Sequence, residues 1–248
     1  MDELADEVRR GDPDRWRAAM LAPAAARPGL FALYAFNLEV ARAPWVASEP
    51  ALAAIRLAWW RESLDEIYDG RAPRRHPVIG ELAAAVVAGD LPRRLFEGMI
   101  DARVAEVEGP AADVAAVEGY VDHTAGHLME LAARHLGAEG AALPVVRDFA
   151  RGAGTAALVA ALPELRARGR DPLPEGADVA ALARDGLAAI ARARTHRSRV
   201  PAAAAPALLA GWQAAGLLRQ AAAGRSPRSA APVVARAALA LRALSGRW

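Results

Sequence analysis

The stretch Leu30-Phe31-Ala32-Leu33-Tyr34-Ala35-Phe36-Asn37-Leu38-Glu39-Val40-Ala41-Arg42-Ala43-Pro44-Trp45 decides the fold class. Phe31, Tyr34 and Leu38 fall at i, i+3 and i+7, the spacing of a core stripe on one helical face. Outside this stretch Ala, Leu and Arg still dominate, all strong helix formers, and aromatic residues make up only 5% of the chain. Alternating patterns that would mark half-buried strands are missing throughout. The reading is all-α, and 248 residues suffice to bury the core of one domain spanning 1–248.

Proline and glycine punctuate the helices. Asp12-Pro13 and Arg27-Pro28 place proline in a first helical turn, where its missing N–H costs nothing. Ser48-Glu49-Pro50 opens a helix that runs to Tyr68 and stops at Gly70. Further helices are expected from Leu91-Pro92 to Val107, from a cap at Asp113 to about Gly137, and from Ala141 to Leu162. Residues 163–176 hold three prolines and two glycines and read as a loop. Helices near 177–199, 203–222 and 230–245 complete the chain.

Four segments share an order and spacing with one known family. They are Leu33-Tyr34-Ala35-Phe36-Asn37 onward, Trp59-Trp60-Arg61-Glu62 with Tyr68-Asp69-Gly70 and His76-Pro77, Tyr120-Val121-Asp122-His123-Thr124-Ala125-Gly126, and Arg168-Gly169-Arg170-Asp171-Pro172-Leu173-Pro174. Together they resemble the squalene/phytoene synthase family. The resemblance implies an isoprenoid-synthase-like helical bundle around a central apolar cavity, which in the family holds prenyl chains. Tyr34, Arg42 and Tyr120 would then be binding residues of that cavity.

In that register the metal-binding aspartates of the family's first motif fall on Ala41, Arg42 and Trp45. Those of the second fall on Ala161 and Leu165, and its asparagine on Ala157. Mg²⁺ takes hard oxygen ligands, and none of these side chains supplies one. The expectation is no catalytic residue, no metal site and no cofactor; Mg²⁺ would enter only if the enzymatic reading held. Asp65 and Asp69 share a helical face and could rebuild a site, although a solvated helix end is the ordinary reading of such a pair. His123, His127 and Glu130 also share a face, yet no second helix offers the further ligands that a metal needs.

Charge is divided unevenly. From Gly186 to Trp248 there are ten arginines and no Asp or Glu, whereas residues 1–185 carry 21 arginines against 29 acids. Arg192, Arg194, Arg197 and Arg199 follow closely on one another, as a solvated face or as a patch for an anionic membrane surface. Nucleic acid is not expected, because no aromatic residues interleave these arginines for base stacking. There is no cysteine and no lysine, which excludes disulfides, thiolate chemistry and lysine Schiff bases. The acidic start Met1-Asp2-Glu3 is unlike a signal peptide, and no stretch is apolar enough for a membrane span, so the expected location is cytoplasmic or peripheral on the inner membrane.

Three functions stay open. The first is a non-catalytic binding or assembly factor, because the chain is similar to the branch of this family that contains the mitochondrial complex I assembly factor. Its partner would then belong to respiratory complex I assembly, with a lipid or isoprenoid in the cavity. The second is a Mg²⁺-dependent prenyltransferase condensing two prenyl diphosphates to squalene or phytoene. The third is a lipid-binding protein of the membrane surface.

Overall fold

The computed structural model describes residues 2–46 and 50–248. Among them there are thirteen α-helices and no strand. The first half contains α1 (Asp2–Gly11), α2 (Pro13–Ala19), α3 (Arg27–Val46), α4 (Pro50–Tyr68), α5 (Pro77–Gly89) and α6 (Arg93–Glu108). It is followed by α7 (Val114–Val121), α8 (His127–His135), α9 (Ala142–Ala167), α10 (Val179–Thr195), α11 (Ala205–Leu209), α12 (Ala214–Ala222) and α13 (Pro232–Ser245). A π-helical turn at Asp122–Gly126 joins α7 to α8.

The expected starts hold where side chains can satisfy the free N–H groups of a first turn. Asp12 accepts from Arg15 N at 2.9 Å, Asp113 from Ala116 N at 2.8 Å, and Asp178 from Ala180 N at 2.8 Å. The expected cap at Ser48-Glu49 lies outside the described residues. Two boundaries differ from the sequence reading. The long helix does not stop at Leu162; it runs through Pro163 to Ala167. Pro163 lies one turn from the end of α9, so it removes a single bond to Val159 O, and the Glu164–Arg168 pair at 2.5 Å supports the last turn. The segment expected as one helix over 203–222 is broken near Ala210–Gln213, where Trp212 turns inward and Gly211 packs closely on Ala153 and Phe149.

Of the expected stripe on α3, Phe31 and Tyr34 are buried and Leu38 only half-buried, while Leu30, Ala32, Leu33, Ala35 and Phe36 are buried as well, so this part of the helix is covered on every side. Phe36 meets Trp60 of α4 and Phe96 of α6 edge to face, at ring separations of 5.3 and 5.5 Å. Of the adjacent tryptophans, Trp60 is buried and Trp59 sits at the edge, under the guanidinium of Arg74.

Helix α8 lies between α3 and α9 and packs on both. It runs antiparallel to each. Gly29, at the start of α3, packs directly on His135 at the end of α8, while Asp122 just before α8 bonds Arg151 well along α9 at 2.6 Å. α3 and α9 therefore point the same way, and their C-terminal ends emerge at one end of the bundle. α6 ends there too, with Arg103 on Tyr120 and Ala111 N donating to Pro172 O at 3.4 Å.

Candidate functional site

The motif positions read from the sequence lie in the C-terminal parts of α3 and α9. Ala41 and Trp45 lie one turn apart on α3, and Ala157, Ala161 and Leu165 repeat every four residues along α9. Trp45 is half-buried, and the guanidinium of Arg170, just beyond α9, stands 4.4 Å from its ring centroid. That cation–π contact links the two segments. Ala157 and Ala161 are exposed on the surface of α9.

Arg42 turns away from this end. Its Nη1 donates to Glu7 Oε1 of α1 at 2.8 Å and lies 3.9 Å from Glu39. Glu39 in turn receives Arg56 Nη2 of α4 at 2.5 Å. Arg42 thus ties α1 to α3, and its charge is already met by two carboxylates. Tyr34 is buried, with Arg15 of α2 5.9 Å from its ring centre. Burial pushes its phenol well above the usual range. Tyr120 shares its hydroxyl with Arg103 and Glu106, accepting from the arginine and donating to Glu106 Oε2 at 3.0 Å. Burial, in the main, raises that phenol to about 12. The three groups neutralise one another between α6 and α7.

The acidic candidates are likewise engaged. Asp65 Oδ1 accepts from Arg93 at 2.6 Å, Asp69 Oδ2 from Arg71 at 3.0 Å, and Glu66 from Arg74 at 3.0 and 3.1 Å. Asp65 and Asp69 are directed to different arginines. His127 points Nδ1 at Leu95 O, 3.0 Å away, and burial lowers its pKa. Glu130, 1% exposed and the one charged side chain buried among the described residues, is clamped by Arg134 at 2.8 Å and Arg147 at 2.5 Å. Burial pushes the Glu130 carboxyl up, but the two guanidiniums outweigh it and hold the group below its ordinary value. Among the described residues no group of three or more His, Asp or Glu comes together that could hold a metal. The positions onto which the family's aspartates fall carry alanine, arginine, tryptophan and leucine. A donor set of this chemistry does not fit a Mg²⁺–diphosphate cluster.

The four arginines expected as one patch do not act alike. Arg192 donates to Asp148 of α9 at 3.0 Å, and Arg194 Nε donates to the backbone oxygen of Trp248 at 3.1 Å. Arg197 and Arg199 are exposed and make no ion pair among the described residues. Arg192 must therefore be set apart from the patch: a carboxylate from the acid-rich half, far off in sequence, already meets its charge. Sequence reasoning also missed the Arg170–Trp45 contact and the second arm of the Glu130 clamp. The i, i+4 step from Glu130 to Arg134 was legible, whereas Arg147 joins only through the packing of α8 on α9.

The model of the squalene/phytoene synthase family matches residues 8–246. Assembly factor 6 of NADH dehydrogenase (ubiquinone) complex I is 31% identical in Bos taurus and 30% identical in Homo sapiens, in each case over 131 residues. These matches take in 52% of this chain and 39% of each relative, so the chain aligns with about two-fifths of the length of those curated proteins. Among solved structures, squalene synthase HpnC from Alicyclobacillus acidocaldarius superposes with a TM-score of 0.73 at 18% identity, covering 88% of this chain and 94% of that one. A dehydrosqualene synthase in complex with ligand gives 0.80 at 12% identity, covering 97% and 94%. At such identities the two structures speak for the fold, which is the helical bundle of these synthases. The chain belongs to the squalene/phytoene synthase family.

Proposed function

We propose that this protein is a non-catalytic member of its family, a binding or assembly factor of the kind its relatives' names describe, with a partner in respiratory complex I assembly. One observation carries the reading. The positions at which the family's motifs would supply aspartates carry Ala41, Arg42, Trp45, Ala161 and Leu165 in the register read from the sequence, and Trp45 is covered by a guanidinium. Ionising a prenyl diphosphate requires cationic metal to stabilise the charge that develops on the leaving group. One arginine stacked on an indole does not replace two carboxylate-held metal clusters. The assembly-factor relatives, matched over half of this chain, support the same reading.

The test is a product assay with farnesyl and geranylgeranyl diphosphate, with and without Mg²⁺, run beside affinity purification of the tagged protein from its native cells. No squalene or phytoene, together with co-purifying complex I subunits or assembly intermediates, is the expected result. Metal-dependent formation of either hydrocarbon would overturn the proposal.

A further inference from the structure

Helix α13 is apolar on the side that faces away from the protein. Its inner side is anchored by Ala235 and Leu239, 3% and 4% exposed, and the helix packs on α11. Its outer side carries Val233, Val234, Ala237, Ala240, Leu241 and Leu244, all exposed, with Leu244 at 88%. These positions follow the 3.6-residue period, so they form one continuous strip with no polar atom in it. A water-facing helix of a monomer would place charge there.

Several guanidiniums gather beside the inner flank of α13. Arg242 on α13, Arg194 and Arg197 at the end of α10, and Arg219 on α12 lie near enough for their fields to act on one another. Arg194 and Arg219 line an open groove of about 590 Å³ together with Leu187 and Ile190. Among the described residues no ion pair joins Arg197, Arg219, Arg236 or Arg242 to a carboxylate. Burial lowers the pKa of Arg194, and the three neighbouring guanidiniums lower it further; an anion in the groove would relieve that repulsion. A two-fold contact through this face would set Arg236 and this field against their like. A phospholipid surface answers both features, because acyl chains accept the strip without hydrogen bonds and phosphates meet the arginines.

We propose that α13 is a membrane-docking helix, its outer strip of Val233, Val234, Leu241 and Leu244 entering an anionic lipid surface while Arg236 beside the strip and the exposed Arg197 and Arg219 meet the head groups. This stands apart from the assembly-factor reading and does not depend on it. The test is flotation of the full chain with vesicles of phosphatidylglycerol and phosphatidylcholine in equal parts, and with vesicles of phosphatidylcholine alone. Two variants accompany it, Val233→Ser/Leu241→Ser/Leu244→Ser and Arg197→Gln/Arg199→Gln/Arg236→Gln. All six side chains are exposed, so both variants should melt close to the wild type, which a thermal scan confirms. Binding to the anionic vesicles only is expected, weakening as salt shortens the screening length from about 30 Å at 0.01 M to about 8 Å at 0.15 M. Each variant should reduce it by roughly tenfold or more. Three results would overturn the proposal: no flotation at low salt, equal binding to neutral vesicles, or unchanged binding by the serine variant. Self-association, or capture by an acidic amphipathic peptide, in place of vesicle binding would count with the first and mark the strip as a protein interface.

Discussion

Arg170 holds its guanidinium over the face of Trp45, 4.4 Å from its central carbon to the ring centroid. The contact closes α3 against the segment that follows α9. A cation therefore sits at this position as part of the chain itself.

Replacing Arg170 with Ala should remove about 0.5–1 kcal/mol, the usual worth of an exposed cation–π pair. For a protein of this size that is roughly a 1–4 °C fall in Tm by calorimetry. Trp45→Ala should cost more, because the half-buried ring also loses its packing, and the double variant should cost little more than Trp45→Ala alone. An additive double variant would show that the two side chains are not coupled.

Glu130 should prove the most costly carboxylate to remove. Glu130→Ala removes a buried carboxylate and its hydrogen bonds, but Arg147 is 51% exposed and Arg134 21%, so both can turn to water and the cost should be about 1–3 kcal/mol. The pH dependence follows from the depressed pKa. This stabilisation is fully present above the ordinary value of 4.5 and is lost as pH falls through the lower folded-state value. Thermal scans across acidic pH should show the wild type losing more Tm than Glu130→Gln does.

Gly152 allows α9 and α10 to approach closely. A Cβ there would lie 2.5 Å from Gly186 O and press on Ile190. The carbonyl belongs to the backbone of α10 and cannot rotate aside, so Gly152→Ala should destabilise by about 1–3 kcal/mol despite the better helix propensity of alanine. Gly80, with open space around it, is the control: Gly80→Ala should be neutral or stabilising in the same denaturant titration.

Asp65 and Asp69 pair with Arg93 and Arg71 on partly exposed turns. Asp65→Asn with Asp69→Asn should cost less than about 1 kcal/mol for each pair. The change in Tm on adding Mg²⁺ should match that of the wild type. A Mg²⁺-dependent stabilisation that vanishes in the double variant would assign these carboxylates to a metal after all.

Much of the fold was legible because it rests on local chemistry. Asp12, Asp113 and Asp178 accept backbone N–H groups within three residues, and the stripe of Phe31, Tyr34 and Leu38 needs only helical period. Pro163 misled, because an exposed proline near a helix end costs less than one in an interior. The positions Ala41, Arg42, Trp45, Ala161 and Leu165 could be named from motif spacing. Their surroundings could not, since Arg170 reaches Trp45 across 125 residues and Glu7 reaches Arg42 across 35.

By itself the sequence determined the helical class, the family, the apolar stripe of α3 and the carboxylate-free run after Asp185, all of which depend on residue type and short spacing. Only the tertiary structure decided which charges are already met. Arg192 finds Asp148, Glu130 finds Arg147, and Arg197 and Arg199 find no partner among the described residues. Only the packing, too, decided that Leu239 turns inward while Leu241 and Leu244 face out. Ion pairing and burial depend on distances between helices, and those are set by how side chains interlock over the whole bundle.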